Sequence, residues 1–394
     1  MNSTLPAGVW LLGGVSLFND IASEAIYPLL PFFLTSVLGA TAVSLGFIEG
    51  AAEAISSVLK VISGRMSDRW RRRKPIVLGG YSLSALARPF ISVANGWVAV
   101  FALRFIDRVG KGIRSAPRDA MLADLAEVTN RGRVFGFHRA MDHAGAVLGP
   151  LLATGFLIAF PDRYRTLFAL TAIPGIATVV LLLWLKEPAP GSWLRAPSLQ
   201  PLVPTHQSLP PPLVRYLIVL SIFTLGNSAD AFLLLRLTQA AGGPQYIPLM
   251  WALLHVVKMG SSVIGGSASD RVGRRPLIAI GWVIYAGVYA GFALSESLVA
   301  LIACFLIYGV YYGCVEGTER ALVADFAPAT QKGTAFGVYN AVAGIGALVS
   351  SVVFGMIWKY LGAATAFASG ATLALLAAIL LFALVPAPEP RTER

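Results

Sequence analysis

Apolar stretches of about 20 residues recur along the chain, separated by short polar segments. Because the hydrocarbon core of a bilayer is roughly 30 Å thick, a helix of about 20 apolar residues can cross it. The pattern predicts twelve spans, near residues 9–37, 41–64, 76–95, 97–117, 134–160, 166–185, 213–240, 246–267, 276–295, 298–318, 333–357 and 361–385. The predicted fold class is therefore an all-α membrane protein with twelve transmembrane helices.

The composition agrees with this pattern and excludes the common soluble classes of protein. Of the 394 residues, 56% are hydrophobic and 13% are charged, and the mean hydropathy is +0.70. Twelve spans with short loops use the whole length, so there is no room for a large soluble domain. Since the sequence contains no serine-hydrolase, zinc-protease or phosphate-loop motif, we expect neither an enzyme nor a bound cofactor.

The formal net charge is +11, from 31 Lys and Arg against 20 Asp and Glu. The basic residues collect on alternate loops, with the large groups at 69–74, 118–133, 186–215, 271–275 and 332–394. The positive-inside rule makes this side cytoplasmic and places both termini inside a cell inner membrane. The charge thus reports topology rather than nucleic-acid binding. We expect a monomer whose partners are a small-molecule substrate, protons and the lipid bilayer.

The two halves of the sequence resemble each other. The segment RDAMLAD at 118–124 matches ERALVAD at 319–325, which lies 201 positions later. We therefore predict two pseudo-symmetric six-helix halves in the same orientation, at 1–185 and 213–394, joined by a proline-rich cytoplasmic linker at 186–212. Parallel repeats of this kind build a substrate site between the halves, near the middle of the bilayer.

Two loops carry a family signature. The loop after span 2 reads GRMSDRWRRRKP at 64–75, and the loop after span 8 reads GSASDRVGRRP at 266–276. Both resemble the Gly-x-x-x-Asp-Arg-x-Gly-Arg-Arg motif of the major facilitator superfamily, whose transporters carry it in both halves. The resemblance implies a cytoplasmic latch that breaks as the halves rock, formed by Gly64, Asp68, Arg69, Gly266, Asp270 and Arg271.

Span 4 contains a second motif. It reads RFIDRVGKG at 104–112 and resembles a family motif whose arginine, here Arg104, is associated with proton transfer. Asp107 and Arg108 stand where that motif has glutamine and glycine, which adds an acid and a base in mid-membrane. We predict that Arg104 and Asp107 take part in proton coupling.

Span 5 contains a third motif, formed by Gly136, Gly145, Gly149 and Pro150. Their spacing resembles the antiporter motif of the bacterial drug/proton antiporter branch of the same superfamily, with Ala153 in place of its last glycine. The resemblance implies export of a substrate in exchange for protons. The alternative is that these glycines serve helix packing alone.

Several carboxylates lie inside predicted spans, where a charge costs several kcal/mol and so indicates function. Asp20 and Glu24 lie in the middle of span 1, and Asp230 lies past the middle of span 7. The resemblance implies that helices 1, 4, 7 and 10 line a central cavity, with Glu24 and Asp230 facing each other across it. We predict that these three acids carry the coupled protons. The alternative is a structural ion pair, for example of Asp230 with Arg236.

Other polar residues inside spans are candidates for contact with the substrate. They are Glu53 in span 2, Arg108 and Lys111 in span 4, His255 and Lys258 in span 8, and Tyr308 and Tyr312 in span 10. Many of the charges in the first half could instead pair with each other. His255 and Met259 would also suit a soft metal such as Cu(I), which keeps copper transport open. His138, Arg139 and Asp142 could serve proton exit or tie helix 5 to helix 4.

Together these features predict a secondary active transporter that works by alternating access. We expect it to export a small organic solute in exchange for protons. The alternative is a proton symporter that imports a polar or anionic metabolite, because the basic residues of span 4 could hold an anion. A transport-silent receptor would keep the same fold, but it has no use for acids in mid-membrane.

Overall fold

A computed structural model describes residues 5–70, 72–125, 131–186, 209–327 and 332–387, and every regular element in these residues is helical. The elements are numbered in chain order. They are α1 (Ala7–Ile26), α2 (Ala42–Trp70), α3 (Lys74–Phe90), α4 (Trp97–Leu125), α5 (Arg131–Ala159), α6 (Tyr164–Leu170 and Ala172–Trp184), α7 (Pro211–Gly226 and Ala231–Ala241), α8 (Ile247–Val272), α9 (Arg274–Leu294), α10 (Leu298–Phe326), α11 (Lys332–Leu361) and α12 (Ala363–Leu384).

Within the described residues, nine of these helices are long and apolar enough to cross a membrane by length and composition. The other three are α1, α4 and α8. In α1 the polar residues Asn19, Asp20 and Glu24 lower the hydropathy, and α4 carries several charges along its length. All three of these less apolar helices hold candidate site residues, which in α8 are His255 and Lys258.

Two predicted spans are interrupted in the structure. After Ile26, the first span continues only as short helical turns up to Val37, because Pro28 and Pro31 have no backbone N–H to give to a regular helix. The seventh span breaks between Gly226 and Ala231, where side chains satisfy the released backbone groups. Tyr285 Oη donates to the Gly226 oxygen at 3.1 Å, and the Ala229 N–H donates to a serine hydroxyl of α11.

The chain forms two compact units. Unit 1 contains Met1–Phe33 and Ile55–Gln207, and unit 2 contains Leu34–Ala54 and Ser208–Arg394, so α2 is shared between them. In unit 1, α1 packs on α5 and α6, and α3 packs on α4 and α6; in unit 2 the same pairs recur six helices later, as α7 with α11 and α12 and α9 with α10 and α12. This repeat confirms the predicted pseudo-symmetry. The residue boundaries predicted for the halves remain a prediction.

The repeat extends to individual ion pairs. Arg73 pairs with Asp124 in unit 1, and Arg274 pairs with Asp325 in unit 2. Each pair joins the beginning of an odd-numbered helix to the end of the next one. Because the residues of the second pair lie 201 positions after those of the first, the structure keeps the same offset as the matching segments in the sequence.

Candidate functional site

Unit 1 contains a buried group of charges that we call the Arg88 cluster, formed by Asn19, Arg88, Arg104 and Asp107. Arg88 donates from Nε to Asp107 Oδ1 at 3.0 Å, and from Nη1 to the Asn19 backbone oxygen at 2.9 Å and to its Oδ1 at 3.0 Å. Arg104 Nη1 lies 3.5 Å from Asp107 Oδ2. The three charged residues are 2% to 5% exposed. The cluster joins α1, α3 and α4, with two positive charges and one negative charge.

Arg88 was not among the functional residues predicted from the sequence. It stands near the end of a predicted span and next to Pro89, where an arginine looks like a helix-end residue. Arg114 of α4 was not among them either. It is 4% exposed, donates to Ser84 Oγ at 2.6 Å and lies 4.4 Å above the ring of Tyr81. The available signal was a basic residue inside an apolar span. Asp107 is enclosed as the partner of Arg88. Its predicted part in proton coupling stays a prediction.

A second group in unit 1 contains three carboxylates. Asn19 Nδ2 donates to Asp20 Oδ1 at 2.8 Å, and Ser23 Oγ donates to Glu24 Oε1 at 3.1 Å. Asp142 of α5 accepts a hydrogen bond from Ser16 of α1. The carboxylates of Glu24 and Asp142 are both close enough to act electrostatically on that of Asp20. We call Asp20, Glu24 and Asp142 the acidic group.

Asp142 connects α5 to α1 and to its own helix. Besides the bond from Ser16, its Oδ2 lies 3.5 Å from Arg139 Nη1 and 3.6 Å from His138 Nδ1. The two roles predicted for His138, Arg139 and Asp142 were proton exit and a contact with α4. The tie that forms through Asp142 runs to α1, and it brings this carboxylate beside Asp20.

Two glycines of the predicted antiporter motif pack against α1 next to the acidic group. A Cβ atom at Gly145 would lie 2.6 Å from the Leu17 oxygen and 2.8 Å from Asp20 Cβ, and one at Gly149 would lie 2.6 Å from the Ile21 oxygen. Since real Cβ atoms do not approach backbone oxygens so closely, α1 and α5 can be this close only because these positions are glycine. These two glycines therefore allow α5 to approach α1 closely at the level of Asp20.

We expect Gly149→Ala to destabilise the protein by about 1–3 kcal/mol, because the added methyl group has to push α1 and α5 apart. Thermal unfolding of the detergent-purified protein, followed by size-exclusion chromatography after heating, measures the effect. Gly155→Ala is the matched control, because it lies on the same helix and a Cβ there meets nothing within 4 Å. Equal stability of the two variants would show that the α1–α5 contact tolerates a side chain.

Unit 2 contains a different arrangement around Asp230, which lies at the break of α7. Tyr308 Oη donates to Asp230 Oδ1 at 2.7 Å, and Tyr312 Oη lies 3.2 Å and 3.1 Å from its two oxygens. Lys258 Nζ lies 3.9 Å from Asp230 Oδ2. We call these four residues the Asp230 site. It brings together one predicted proton-coupling residue and three predicted substrate-contact residues.

The aromatic rings of unit 2 also hold the ammonium group of Lys258. Its Nζ lies 3.5 Å from the centroid of the Tyr312 ring and 5.5 Å from that of Trp251, at cation–π distance. His255 Nδ1 lies 3.1 Å from the Trp251 backbone oxygen. The alternative pairing of Asp230 with Arg236 is wrong, because Arg236 instead donates to the Ser295 oxygen at 3.2 Å.

The remaining predicted residues lie elsewhere. Glu53 is exposed on α2, and Arg108 and Lys111 are half-buried on α4, where Arg108 adds positive charge near Asp107. Gly64 faces Ala116 of α4. The other candidates fall outside the residues whose side chains the structure describes: Asp68, Arg69, Gly136, Gly266, Asp270 and Arg271. Their predicted roles in gating and in the antiporter motif stay predictions.

Comparison with known proteins gives consistent results. A family model described as Major Facilitator Superfamily matches residues 12–318 and 242–394. An uncharacterized MFS-type transporter of Methanocaldococcus jannaschii is 33% identical over 387 residues, which cover 96% of this chain and 94% of that protein. Multidrug resistance protein MdtH of Photorhabdus laumondii is 30% identical over 133 residues, 34% of this chain and 33% of that protein.

Among solved structures, the nucleoside transporter NupG is similar with a TM-score of 0.79 at 13% identity, covering 96% of this chain and 99% of that chain. This likeness concerns the fold alone. Repeated sets of apolar helices that carry ionisable groups define a multi-pass membrane transporter. The chain belongs to the major facilitator superfamily, as its loop motifs predicted.

Proposed function

We propose that this protein is a secondary active transporter that exports a small organic solute in exchange for protons. The observation that carries the proposal is the position of the acidic group. Asp20, Glu24 and Asp142 lie together where the motif glycines Gly145 and Gly149 pack α5 against α1. Carboxylates that lie close together repel each other in their ionised forms, so binding a proton relieves the repulsion. A proton carrier requires this property.

Export, rather than import, is supported by the antiporter motif and by one relative. The motif glycines pack on the helix that carries Asp20 and Glu24, so a change in the charge of these acids acts directly on the contact of α1 with α5. The partial relative MdtH is named a multidrug resistance protein. Asp230 of unit 2 supplies a further carboxylate in this proposal.

Inverted membrane vesicles provide a test of both direction and coupling. Respiration acidifies their interior, and a pH-sensitive dye reports the gradient. A compound panel is added outside, on the face that corresponds to the cytoplasm. An antiporter exchanges internal protons for the added substrate, so we expect at least one compound to dissipate the gradient in vesicles with the wild-type protein.

Vesicles without the protein and vesicles with the Glu24→Gln/Asp230→Asn double variant serve as controls, and both should keep their gradient. If the double variant dissipates the gradient as well as the wild type, these acids do not carry the coupled protons. If no compound acts in inverted vesicles while right-side-out vesicles accumulate one under an inward proton gradient, the protein is a symporter.

The symporter remains the second candidate because of the basic residues of unit 1. Arg88 and Arg104 together exceed the charge of Asp107, and the enclosed Arg114 adds to this excess. An anionic metabolite would be attracted by this charge. Anions in the compound panel, assayed in both vesicle orientations, therefore separate the two candidates.

A further inference from the structure

Unit 2 encloses another carboxyl group, Glu319 of α10, which none of the sites above uses. Glu319 is 6% exposed, and both of its oxygens accept hydrogen bonds. Trp282 Nε1 of α9 donates to Oε1 at 3.2 Å, and Tyr339 Oη of α11 donates to Oε2 at 2.9 Å. We call these three residues the Glu319 site. Its two donors are neutral groups.

The surroundings of Glu319 contain little compensating charge. The groups facing it from other helices are the indole of Trp282 and the phenols of Tyr216 and Tyr339. On its own helix, Arg320 acts on it electrostatically without forming an ion pair in the described part of the chain, and Tyr311 contributes a phenol. A carboxylate enclosed in this way is costly in its charged form, even when it is hydrogen-bonded.

The hydrogen-bond geometry accommodates both protonation states. In the ionised state, the two oxygens accept from Trp282 and Tyr339, as observed. In the protonated state, Oε2 carries the proton and donates it to Tyr339 Oη, while Trp282 still donates to Oε1. Because a tyrosine hydroxyl can donate or accept, turning this one O–H bond is sufficient to exchange the two states. One proton enters from solvent and returns to it, and neither contact is broken.

The equivalent position in unit 1 has the opposite chemistry. Counting back 201 positions, Glu319 corresponds to Arg118, Trp282 to Tyr81 and Tyr339 to His138. Arg118 keeps the contact between the two helices, with Nη1 3.4 Å from Tyr81 Oη. The repeat thus conserves the contact and replaces a permanent charge by a group that can gain or lose a proton.

Glu319 also lies at a defined distance from the Asp230 site. It follows Tyr312, which binds Asp230, by seven residues on the same helix, or about 10 Å along the helix axis. The direction is towards the end of α10 that the positive-inside rule predicts to be cytoplasmic. A proton exchanged between Asp230 and the cytoplasm would pass the level of Glu319.

We propose that Glu319, Trp282 and Tyr339 form a further proton-binding site of the transporter, on the cytoplasmic side of Asp230. This assignment builds on the proposed proton coupling and adds a carboxyl group to it. Its direct consequence is that Glu319 binds and releases a proton while its contacts with Trp282 and Tyr339 persist.

Infrared difference spectroscopy on the purified full-length protein tests this assignment. The spectrum in mildly alkaline buffer is subtracted from that in mildly acidic buffer, and the C=O stretching band of protonated carboxyl groups is compared among variants. We expect Glu319→Gln to remove one component of the wild-type band. Tyr339→Phe should shift that component to higher frequency, because the protonated carboxyl group loses its acceptor.

Glu316→Gln is the matched control, because Glu316 is an exposed acid on the same helix and its replacement should leave the band unchanged. The glutamine of Glu319→Gln can still bond to Trp282 and Tyr339, and size-exclusion chromatography checks that the variant is folded. A pH-dependent band identical in wild type and Glu319→Gln would overturn the assignment. The measurement needs no substrate and no gradient, so its outcome is independent of whether the antiport assay succeeds.

Discussion

Replacing Arg88 by methionine is expected to prevent the protein from accumulating in folded form. The side chain loses its charge but keeps an unbranched apolar stem, so Asp107 remains enclosed without its 3.0 Å partner. The 3.5 Å contact of Arg104 and the charges of Arg108 and Arg114 balance it in part. The Asn19 backbone oxygen also loses the donor Nη1. Removing one partner of a buried ion pair costs about 3–5 kcal/mol, which is a large share of the total stability of a domain. The yield of monodisperse protein after detergent extraction measures the loss.

Two further variants distinguish the effect of breaking the ion pair from the effect of losing any arginine. Arg88→Met/Asp107→Leu removes both members of the 3.0 Å ion pair and should recover part of the yield, because Asp107 no longer stays enclosed without Arg88. The recovery is partial because Arg104 loses its 3.5 Å contact with Asp107. Arg139→Met removes an arginine whose side chain is 59% exposed, and it should change the stability by less than about 0.5 kcal/mol. A normal yield of Arg88→Met alone would show that the cluster does not hold α1, α3 and α4 together.

The overall fold could be predicted from the sequence because its signals are strong and regular. The length of the apolar stretches is set by the thickness of the bilayer, so all twelve helices lie close to their predicted positions. The repeat followed from the similar seven-residue segments at 118–124 and 319–325, which are identical at three positions. The ion pairs Arg73–Asp124 and Arg274–Asp325 confirm the repeat at the level of side chains.

Pairing between helices could not be predicted in the same way, since it depends on the rotation and depth of each helix. Asp230 was recognised as a candidate, but its contact with Lys258 depends on the break of α7, and no proline marks that break. Glu319 was overlooked because it lies just beyond a predicted span end at residue 318, where a charged residue attracts no attention. In the structure α10 continues to Phe326 and keeps Glu319 enclosed.

The offset of 201 positions also shows how the two units diverge. Arg88 and Asp107, which form an ion pair in unit 1, correspond to Tyr289 and Tyr308 in unit 2. There Tyr289 bonds to Ser228 at 2.9 Å and Tyr308 bonds to Asp230. The corresponding positions thus hold fixed charges that join α3 to α4 in unit 1, and phenols that join α9 and α10 to α7 in unit 2. Phenol groups can give or accept a hydrogen bond without a change of charge, which suits a neighbour that gains and loses protons.

Asp230→Asn is expected to abolish proton-coupled transport while leaving the fold intact. Asparagine still offers an oxygen to Tyr308 and Tyr312, so the contacts of α7 with α10 persist, but the side chain can no longer bind and release a proton. Lys258 loses its carboxylate partner and stays over the Tyr312 ring. In inverted vesicles, the substrate-dependent loss of the pH gradient should fall to the level of vesicles without the protein.

Substrate exchange in the absence of a proton gradient separates coupling from binding. Counterflow of labelled substrate needs the binding site and alternating access but no net proton movement, so Asp230→Asn should retain it. The matched control is Asp162→Asn, the same substitution at an exposed position whose positive φ of 63° suits asparagine. If Asp230→Asn loses counterflow together with gradient dissipation, Asp230 binds the substrate rather than the proton. If it loses neither, the Asp230 site is structural, and the acidic group of unit 1 alone carries the coupled protons.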